Sequence, residues 1–353
     1  MTTTRTFKVV VQKARGPSYD LADEGYSLER EGLDPVGAEI VQVDASTTEE
    51  FLAEARDADA LIARFRRLHS GIIEGLEKCI VIGCGSVGSD TVDVAAATRA
   101  GIVVTNVPDV FIDEVADHAM MLILAATRRL NVMERMARDG RWADGRPALA
   151  GVPRLFGQTL GLISFGNVAR ATARRAQAFG LRMMSHDPYV SELIMTGAGV
   201  EPVSLEELLE RADIVSLHAP LNDETHHLMN AERFARMKPG SIFVNTGRGP
   251  CVEEKGLVAA LESGRVAVAA LDVLEQEPPD PENPLLRLDN VILTPHVASA
   301  TSRMMPETRR RLGREIALVL RGFWPRSCVN PGVLPRLPLE RWQPYPMERG
   351  PNR

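Results

Sequence analysis

Short apolar runs alternate with segments of helical periodicity along most of the chain. Phe7–Val11, Ile40–Val43, Ala60–Ala63, Cys79–Ile82 and Ile102–Val104 have strand length and composition, and helix signals lie between them. Thr47-Thr48-Glu49-Glu50 has the form of a capping box ahead of Phe51–Ala58, and Gly101 closes a helix over Thr91–Arg99. The alternation resumes with strands at Leu160–Ile163, Leu181–Met184, Asp213–Leu217, Ser241–Asn245, Val266–Leu271 and Val291–Leu293. Helices at Val168–Phe179, Leu205–Ala212, Ala231–Met237 and Val252–Ser263 separate them. Strands and helices in this order form mostly parallel sheets covered on both faces. The expectation is an α/β fold with two doubly wound parallel-sheet domains, for which 353 residues suffice.

One segment departs from this rhythm. Phe111–Leu130 reads as a long helix, with Asp113, Glu114 and Asp117 near its start and Arg128 and Arg129 at its end, as the helix dipole favours. Between Ala116 and Ala126 it is apolar nearly all round, so it must be buried, in a core or against a second copy; a homodimer through Phe111–Leu130 is expected. His118 on this helix reads as a packed or polar-partnered histidine. Gly140–Arg154 lacks apolar period and reads as a loop. Gly313–Val319 continues a helix, and Pro335–Arg353 is a Pro/Arg tail expected to be loosely ordered.

Composition narrows the function. Apolar residues make up 44% and charged residues 25%, with a net charge of −6 and no basic block. Nucleic-acid and anionic-membrane binding are therefore not expected. Met1–Thr6 is short and polar and gives no signal-peptide pattern, and the apolar stretch Ala119–Ala126 is too short to span a bilayer. Cys79, Cys84, Cys251 and Cys328 form no C-x-x-C pair, so no metal is expected, and reduced thiols imply a cytoplasmic protein.

Candidate chemistry begins at Thr159–Pro188. A strand leads into Ser164-Phe165-Gly166-Asn167-Val168-Ala169, a helix follows, then a second strand that ends at Asp187. This is the order of a dinucleotide-binding unit. Gly166 stands where backbone must approach a pyrophosphate, while Ser164 replaces the glycine that eases the turn. Asp187 follows Ala169 by 18 residues, where an acid binds ribose hydroxyls and repels a 2′-phosphate, favouring NAD. Alone the motif fits an ordinary βαβ unit as well. A second glycine-rich loop, Gly83–Asp90, follows the fourth strand. The N–H groups near Val87 and Gly88 could cradle a carboxylate, or the loop could be a tight turn.

Four strands of the second half end on His218, Arg248, Asp272 and His296, with Glu277 in a Pro-rich loop after Asp272. Open α/β sheets bind ligands at this edge. Reduction of a 2-oxo acid by hydride needs a permanent cation for carboxylate and carbonyl, and a group titrating near neutrality to deliver a proton. That group needs a carboxylate to fix its tautomer and favour its charged form. Arg248, His296 and Glu277 fill these roles, with Arg248 and His296 also touching substrate.

The runs GSVGSDTVDVAAATRAGIVVTNVPDVFIDEVADHA (Gly85–Ala119), VSLHAPLNDETHHLMN (Val215–Asn230), MKPGSIFVNTGRGPCVEEKGLVAALESGRVAVAALDVLEQEP (Met237–Pro278) and TPHVASAT (Thr294–Thr301) resemble the D-isomer-specific 2-hydroxyacid dehydrogenase family. The resemblance covers roughly residues 40–335. It implies a flavodoxin-like substrate domain (1–109 plus 297–353) and a Rossmann NAD-binding domain (110–296) with a cleft between them, and a return of the chain to the first domain at Val329-Asn330-Pro331. It implies catalytic roles for Arg248, Glu277 and His296 and a substrate loop at Val87 and Gly88. Cofactor contacts are implied at Gly166, Asn167, Val168, Asp187, Ala219, Pro220, Thr225, Thr246 and Asp272, with His218 beside Ala219. SFGNVAR, HDPYV and THHLMN lean toward the branch resembling C-terminal-binding proteins, which implies an alternative as an NAD(H)-binding, corepressor-like regulator with vestigial activity. Cys84 and Ser299 depart from that branch, which has Arg and Trp there; without the Arg, doubly anionic substrates should bind less well.

Overall fold

The computed structural model describes residues 6–14 and 25–341. It divides into two compact units, one formed by Met1–Val110 with Thr301–Arg353, the other by Phe111–Ala300.

The first unit carries a parallel sheet of β1 (Phe7–Gln12), β2 (Ala38–Val43), β3 (Ala60–Ala63), β4 (Val81–Cys84) and β5 (Val103–Thr105), in the order β2-β1-β3-β4-β5. Alternate residues face opposite sides of the sheet. Val10, Leu61, Ile82 and Val104 enter one apolar cluster, and Val9, Ile62, Val81 and Val103 enter the other. Gly83 was expected to open a loop, yet it lies inside β4. The helix Met304–Leu320 crosses here so closely that a Cβ on Gly83 would lie 2.6 Å from Leu312 Cδ1. The capping box at Thr47 forms as expected, but the helix expected over Thr91–Arg99 begins later, at Val94, where Asp93 accepts the Ala96 N–H. After Ser327 the chain returns to β5: Asn330 Oδ1 accepts the Val104 N–H at 2.8 Å, and its amide donates to Ile102 O. Residues 335–341 are not loose. Trp324 Nε1 donates to Leu339 O and the Glu340 N–H to Gly322 O, which hold the strand-like segment down. The rest of the expected tail, 342–353, and the first five residues lie outside the described residues.

The second unit carries β6 (Thr159–Ile163), β7 (Arg182–His186), β8 (Glu201–Pro202), β9 (Ile214–Leu217), β10 (Ser241–Asn245), β11 (Val266–Leu271) and β12 (Val291–Leu293). Its parallel order is β12-β11-β10-β9-β6-β7-β8. The strand order reverses at β6, so the loops after β6 and β9 flank the switch point where such sheets bind ligands. The expected fold class is thus what the chain adopts.

The long apolar helix is shorter than expected, Ile112–Thr127, and most of its apolar surface is spent inside the unit. Met120, Leu122, Ile123 and Ala126 pack with β10, β11 and the helix Asn167–Ala178. Arg129, at φ +49°, breaks the pattern, and a second helix, Leu130–Arg138, follows with no buried residue. The segment 140–154, expected to be a loop, contains two short turns of helix at Trp142–Asp144 and Gly145–Ala148.

Candidate active site

The turn after β6 is held by Asp187. Ser164 sits at φ +76°, a left-handed conformation that costs a residue with a Cβ on the order of 1 kcal/mol. Its hydroxyl donates to Asp187 Oδ2 at 3.1 Å, the Phe165 N–H to the same oxygen at 2.8 Å, and the Tyr189 N–H to Oδ1 at 2.9 Å. These bonds offset the cost that a glycine would not have. A carboxylate has about four lone-pair sites, so Asp187 retains room for a further donor.

Gly166 precedes the first turn of the helix Asn167–Ala178, which has no side-chain cap and no acid in that turn. The N–H groups of Asn167, Val168 and Ala169 therefore lack intrahelical acceptors and form an anion site. A Cβ built on Gly166 would meet nothing within 4 Å. The protein itself does not need glycine there; a ligand approaching the backbone does.

The ends of β9 and β10 add two unsatisfied polar atoms. His218 accepts or donates through Nε2 to Ser216 Oγ at 2.9 Å, while its buried Nδ1 has no partner among the described residues. Burial pushes its pKa down to about 4, so the ring is neutral. The buried Thr246 Oγ1 likewise has no partner there. Ala219 is buried beside Gly247. Thr225 has partners in its own loop: its hydroxyl donates to Pro220 O at 2.6 Å and accepts the Asn222 N–H. An open glycine, an uncapped helix start, an orphaned hydroxyl and a neutral imidazole fit a dinucleotide.

Asp272 accepts three donors from within the chain. Oδ1 accepts from Thr294 Oγ1 at 2.6 Å and the Val297 N–H at 2.9 Å, and Oδ2 accepts the Ala298 N–H at 2.9 Å. Thr294 Oγ1 in turn accepts from His118 Nε2 at 2.9 Å, which gives His118 the expected polar partner. This knot fixes the segment that carries His296. His296 lies at φ +52°, with its N–H on Asp272 O at 2.8 Å. Such strain persists where surroundings over-determine it, often at functional sites.

His296 Nδ1 meets Glu277 Oε2 at 2.7 Å, and Glu277 Oε1 accepts the Leu274 N–H at 3.0 Å. With Nδ1–H on the carboxylate, Nε2 is left for exchange with a ligand. The hydrogen bond from Glu277 raises the His296 pKa above its ordinary value, against partial burial and the positive Arg248. Glu277 is pushed up by partial burial, but the His296 and Leu274 bonds and the Arg248 charge win and hold it below the ordinary carboxylate value. Both shifts favour an ion pair. Arg248 is half-buried; its guanidinium donates to Gly247 O at 2.8 Å, and Asn245 Nδ2 holds the Arg248 carbonyl.

Of the residues named from the sequence, His296 and Glu277 are hydrogen-bonded to each other and the Arg248 charge bears on both. Sequence reasoning missed the Leu274 N–H and the Thr294 hydroxyl, because nothing in a pattern of residue types says which backbone group orients a carboxylate.

In the first unit, the loop after β4 turns its carbonyls inward. Ser86 Oγ donates to Gly88 O, Asn106 Nδ2 to Val87 O at 2.6 Å, and the Val107 N–H to Ser86 O. Among the described residues the Val87 and Gly88 N–H groups meet no acceptor. Cys84 is fully buried and packs in the core, and burial pushes its thiol up to about 12. Phe65 follows the neighbouring β3 at φ +61° and is 42% exposed, with the Arg64 guanidinium over its ring.

A model described as the NAD binding domain of D-isomer specific 2-hydroxyacid dehydrogenase matches residues 120–298. A D-3-phosphoglycerate dehydrogenase of Methanocaldococcus jannaschii is 39% identical over 315 residues, 89% of this chain and 59% of that protein. The chain thus spans little more than half of that relative. A glyoxylate reductase of Thermofilum pendens is 39% identical over 303 residues, 84% of this chain and 89% of that one. D-lactate dehydrogenase from Aquifex aeolicus, solved with NAD and lactic acid, matches with a TM-score of 0.76 at 26% identity, covering 89% of this chain and 96% of its own. The chain belongs to the D-isomer specific 2-hydroxyacid dehydrogenase family, which makes it an NAD-dependent oxidoreductase.

Proposed function

We propose that this protein reversibly reduces a small 2-oxo acid to the D-2-hydroxy acid. The observation that carries this is the His296–Glu277 ion pair with Arg248 beside it, at strand ends next to an uncapped helix start. When bound, NAD(H) supplies or accepts the hydride at the substrate carbon. The N–H groups of Asn167 and Val168, approached past Gly166, hold its pyrophosphate, and Asp187 takes its ribose hydroxyls. His218, Ala219, Pro220 and Thr246 line its remaining length. Thr225 and Asp272 serve the site by shaping the loops that carry Pro220 and His296. Arg248 binds the substrate's carboxylate and carbonyl, and in the first unit the Val87 and Gly88 N–H groups are proposed separately as a carboxylate-binding loop. His296 gives a proton to the carbonyl oxygen in reduction and takes it back in oxidation, while Glu277 keeps the imidazolium form available at neutral pH.

A short, singly charged oxo acid such as glyoxylate suits the chain best. Glyoxylate reductases are among its relatives, and the position where an Arg would greet a second anionic group holds the buried Cys84. A panel of glyoxylate, hydroxypyruvate, pyruvate, longer 2-oxo acids and a phosphorylated one, each with NADH, tests this. Turnover is expected on at least one short acid and least on the phosphorylated one. Tight NADH binding with no turnover on any would favour the corepressor-like alternative, which the enzyme names of the relatives do not support.

A homodimer is also proposed, with the surface redefined. Since the helix Ile112–Thr127 faces its own core, the candidate patch is Met121, Leu130 and Trp142, of which Trp142 is 80% exposed. Light scattering at micromolar concentration should give twice the chain mass of 38.6 kDa; a mass of one chain would end the proposal. No helix among the described residues is long and apolar enough to cross a membrane. That none of the four cysteines forms a disulfide supports the cytoplasm as its location.

A further inference from the structure

A second histidine–glutamate pair lies two residues along the loop from the first. His227 Nε2 meets Glu275 Oε1 at 2.6 Å, and each side chain is about one-third exposed, 36% and 34%. We propose that His227 and Glu275 form a positioning pair that, through the loop 272–279, holds Glu277 against His296. The inference rests on the reading of His296 and Glu277 as the proton-transferring pair.

The connections run in both directions from Glu275. Its Oε2 accepts the Glu254 N–H at 3.1 Å, and its own N–H donates to Glu254 Oε1 at 2.7 Å. Glu254 Oε2 accepts from Asn283 Nδ2 at 2.7 Å, which ties down the far side of the loop. Immediately before Glu275, Leu274 gives its N–H to Glu277 Oε1. The Leu274 carbonyl lies where a Cβ on Gly249 would fall, at 1.7 Å, so Leu274 is wedged against the Arg248-Gly249 backbone. Any shift of Glu275 therefore moves the donor that aims Glu277 and the backbone that carries Arg248.

His227 is fixed by equally specific means. Its backbone is left-handed at φ +50°, and its N–H donates to Pro250 O at 2.9 Å. Its ring stacks on His226 with centroids 4.0 Å apart. A bulky residue held in this region is a cost, accepted here in a conformation that brings the ring to Glu275. A histidine–carboxylate contact about one-third exposed adds at most a small increment of stability, so its leverage is geometric. The charged groups that bear on His296 are Glu277, Arg248 and Asp272, with His118 behind Asp272; those that bear on Glu275 are His227, stacked on His226, and Glu254.

NMR titration of the His296 ring, assigned among the seven histidines with His296→Gln, reads the coupling without turnover. In Glu275→Ala the His296 midpoint should fall by about half to one pH unit, with NADH affinity within about twofold of wild type. Glu275→Gln keeps an acceptor and the Glu254 contact, and should retain most of the wild-type midpoint. A His296 midpoint unchanged in Glu275→Ala would overturn the proposal. Should that variant fail to fold, His227→Gln decides by the same criterion. In the active enzyme the alkaline limb of kcat/KM for reduction should move down with the NMR midpoint; a uniform loss at every pH would mean a purely structural role and would also overturn the proposal. A lowered midpoint in a protein that turns over no 2-oxo acid would keep the positioning pair and remove the proposed reaction instead.

Discussion

His296→Ala should lower turnover of the true 2-oxo acid by about 10²–10⁴-fold, the usual range for loss of a general acid, while NADH binding stays nearly intact. The residue's hydrogen bonds go to Glu277 and to the backbone of Asp272 and Thr294, none of them at Asn167–Ala169, so its removal leaves the proposed pyrophosphate-holding groups in place. The pH dependence follows from the sign of the shift. The His296 pKa is raised by Glu277, so the protonated donor needed for reduction is present below that raised value and is lost as pH rises through it. Oxidation of the hydroxy acid needs the neutral ring and should gain on the same rise. Initial rates in both directions across pH 5–9, with a fluorescence titration of NADH, check this. Turnover of His296→Ala equal to wild type would remove the proton-donor role.

Gly249→Ala should damage the protein more broadly. A Cβ there would fall 1.7 Å from Leu274 O and 2.1 Å from Leu274 C, and both are backbone, so no side chain can swing aside. Overpacking costs about 1–3 kcal/mol where surroundings yield a little, and a backbone clash belongs at the upper end. If the chain folds, Arg248 or the Leu274–Glu277 turn must move, and a displacement of about an ångström can cost on the order of 10²-fold in rate. Thermal melts and kcat/KM should fall together. A variant with wild-type melting and full activity would show that the loop 272–279 is not held against Arg248 in the working enzyme. Gly166→Ala provides the contrast: its Cβ meets open space in the protein, so stability should hold while NADH affinity falls.

Much was legible from residue order. Alternating apolar runs specified both parallel sheets because a strand buried on two faces must be apolar throughout, as Ala60–Ala63 and Val81–Cys84 are. The capping box at Thr47 marked its helix because the bonds involved are local, spanning three residues. The trio Arg248, Glu277 and His296 could be named because hydride transfer demands those chemical types at strand ends. Long-range packing decided the rest. Gly83 looked like loop until the helix Met304–Leu320 pressed on it, and the apolar helix Ile112–Thr127 looked like an interface until the core consumed it. Asp187 and Asp272 read as direct ligand contacts, but each is first a hub for its own loops, since distant N–H groups converge on their oxygens. The sequence by itself determined which elements form and which chemistry they can carry, because both follow from the residue types and their near neighbours. Which carboxylate faces which histidine, and which backbone groups aim it, depended on loops meeting across the sheet edge, and only the tertiary structure could decide that.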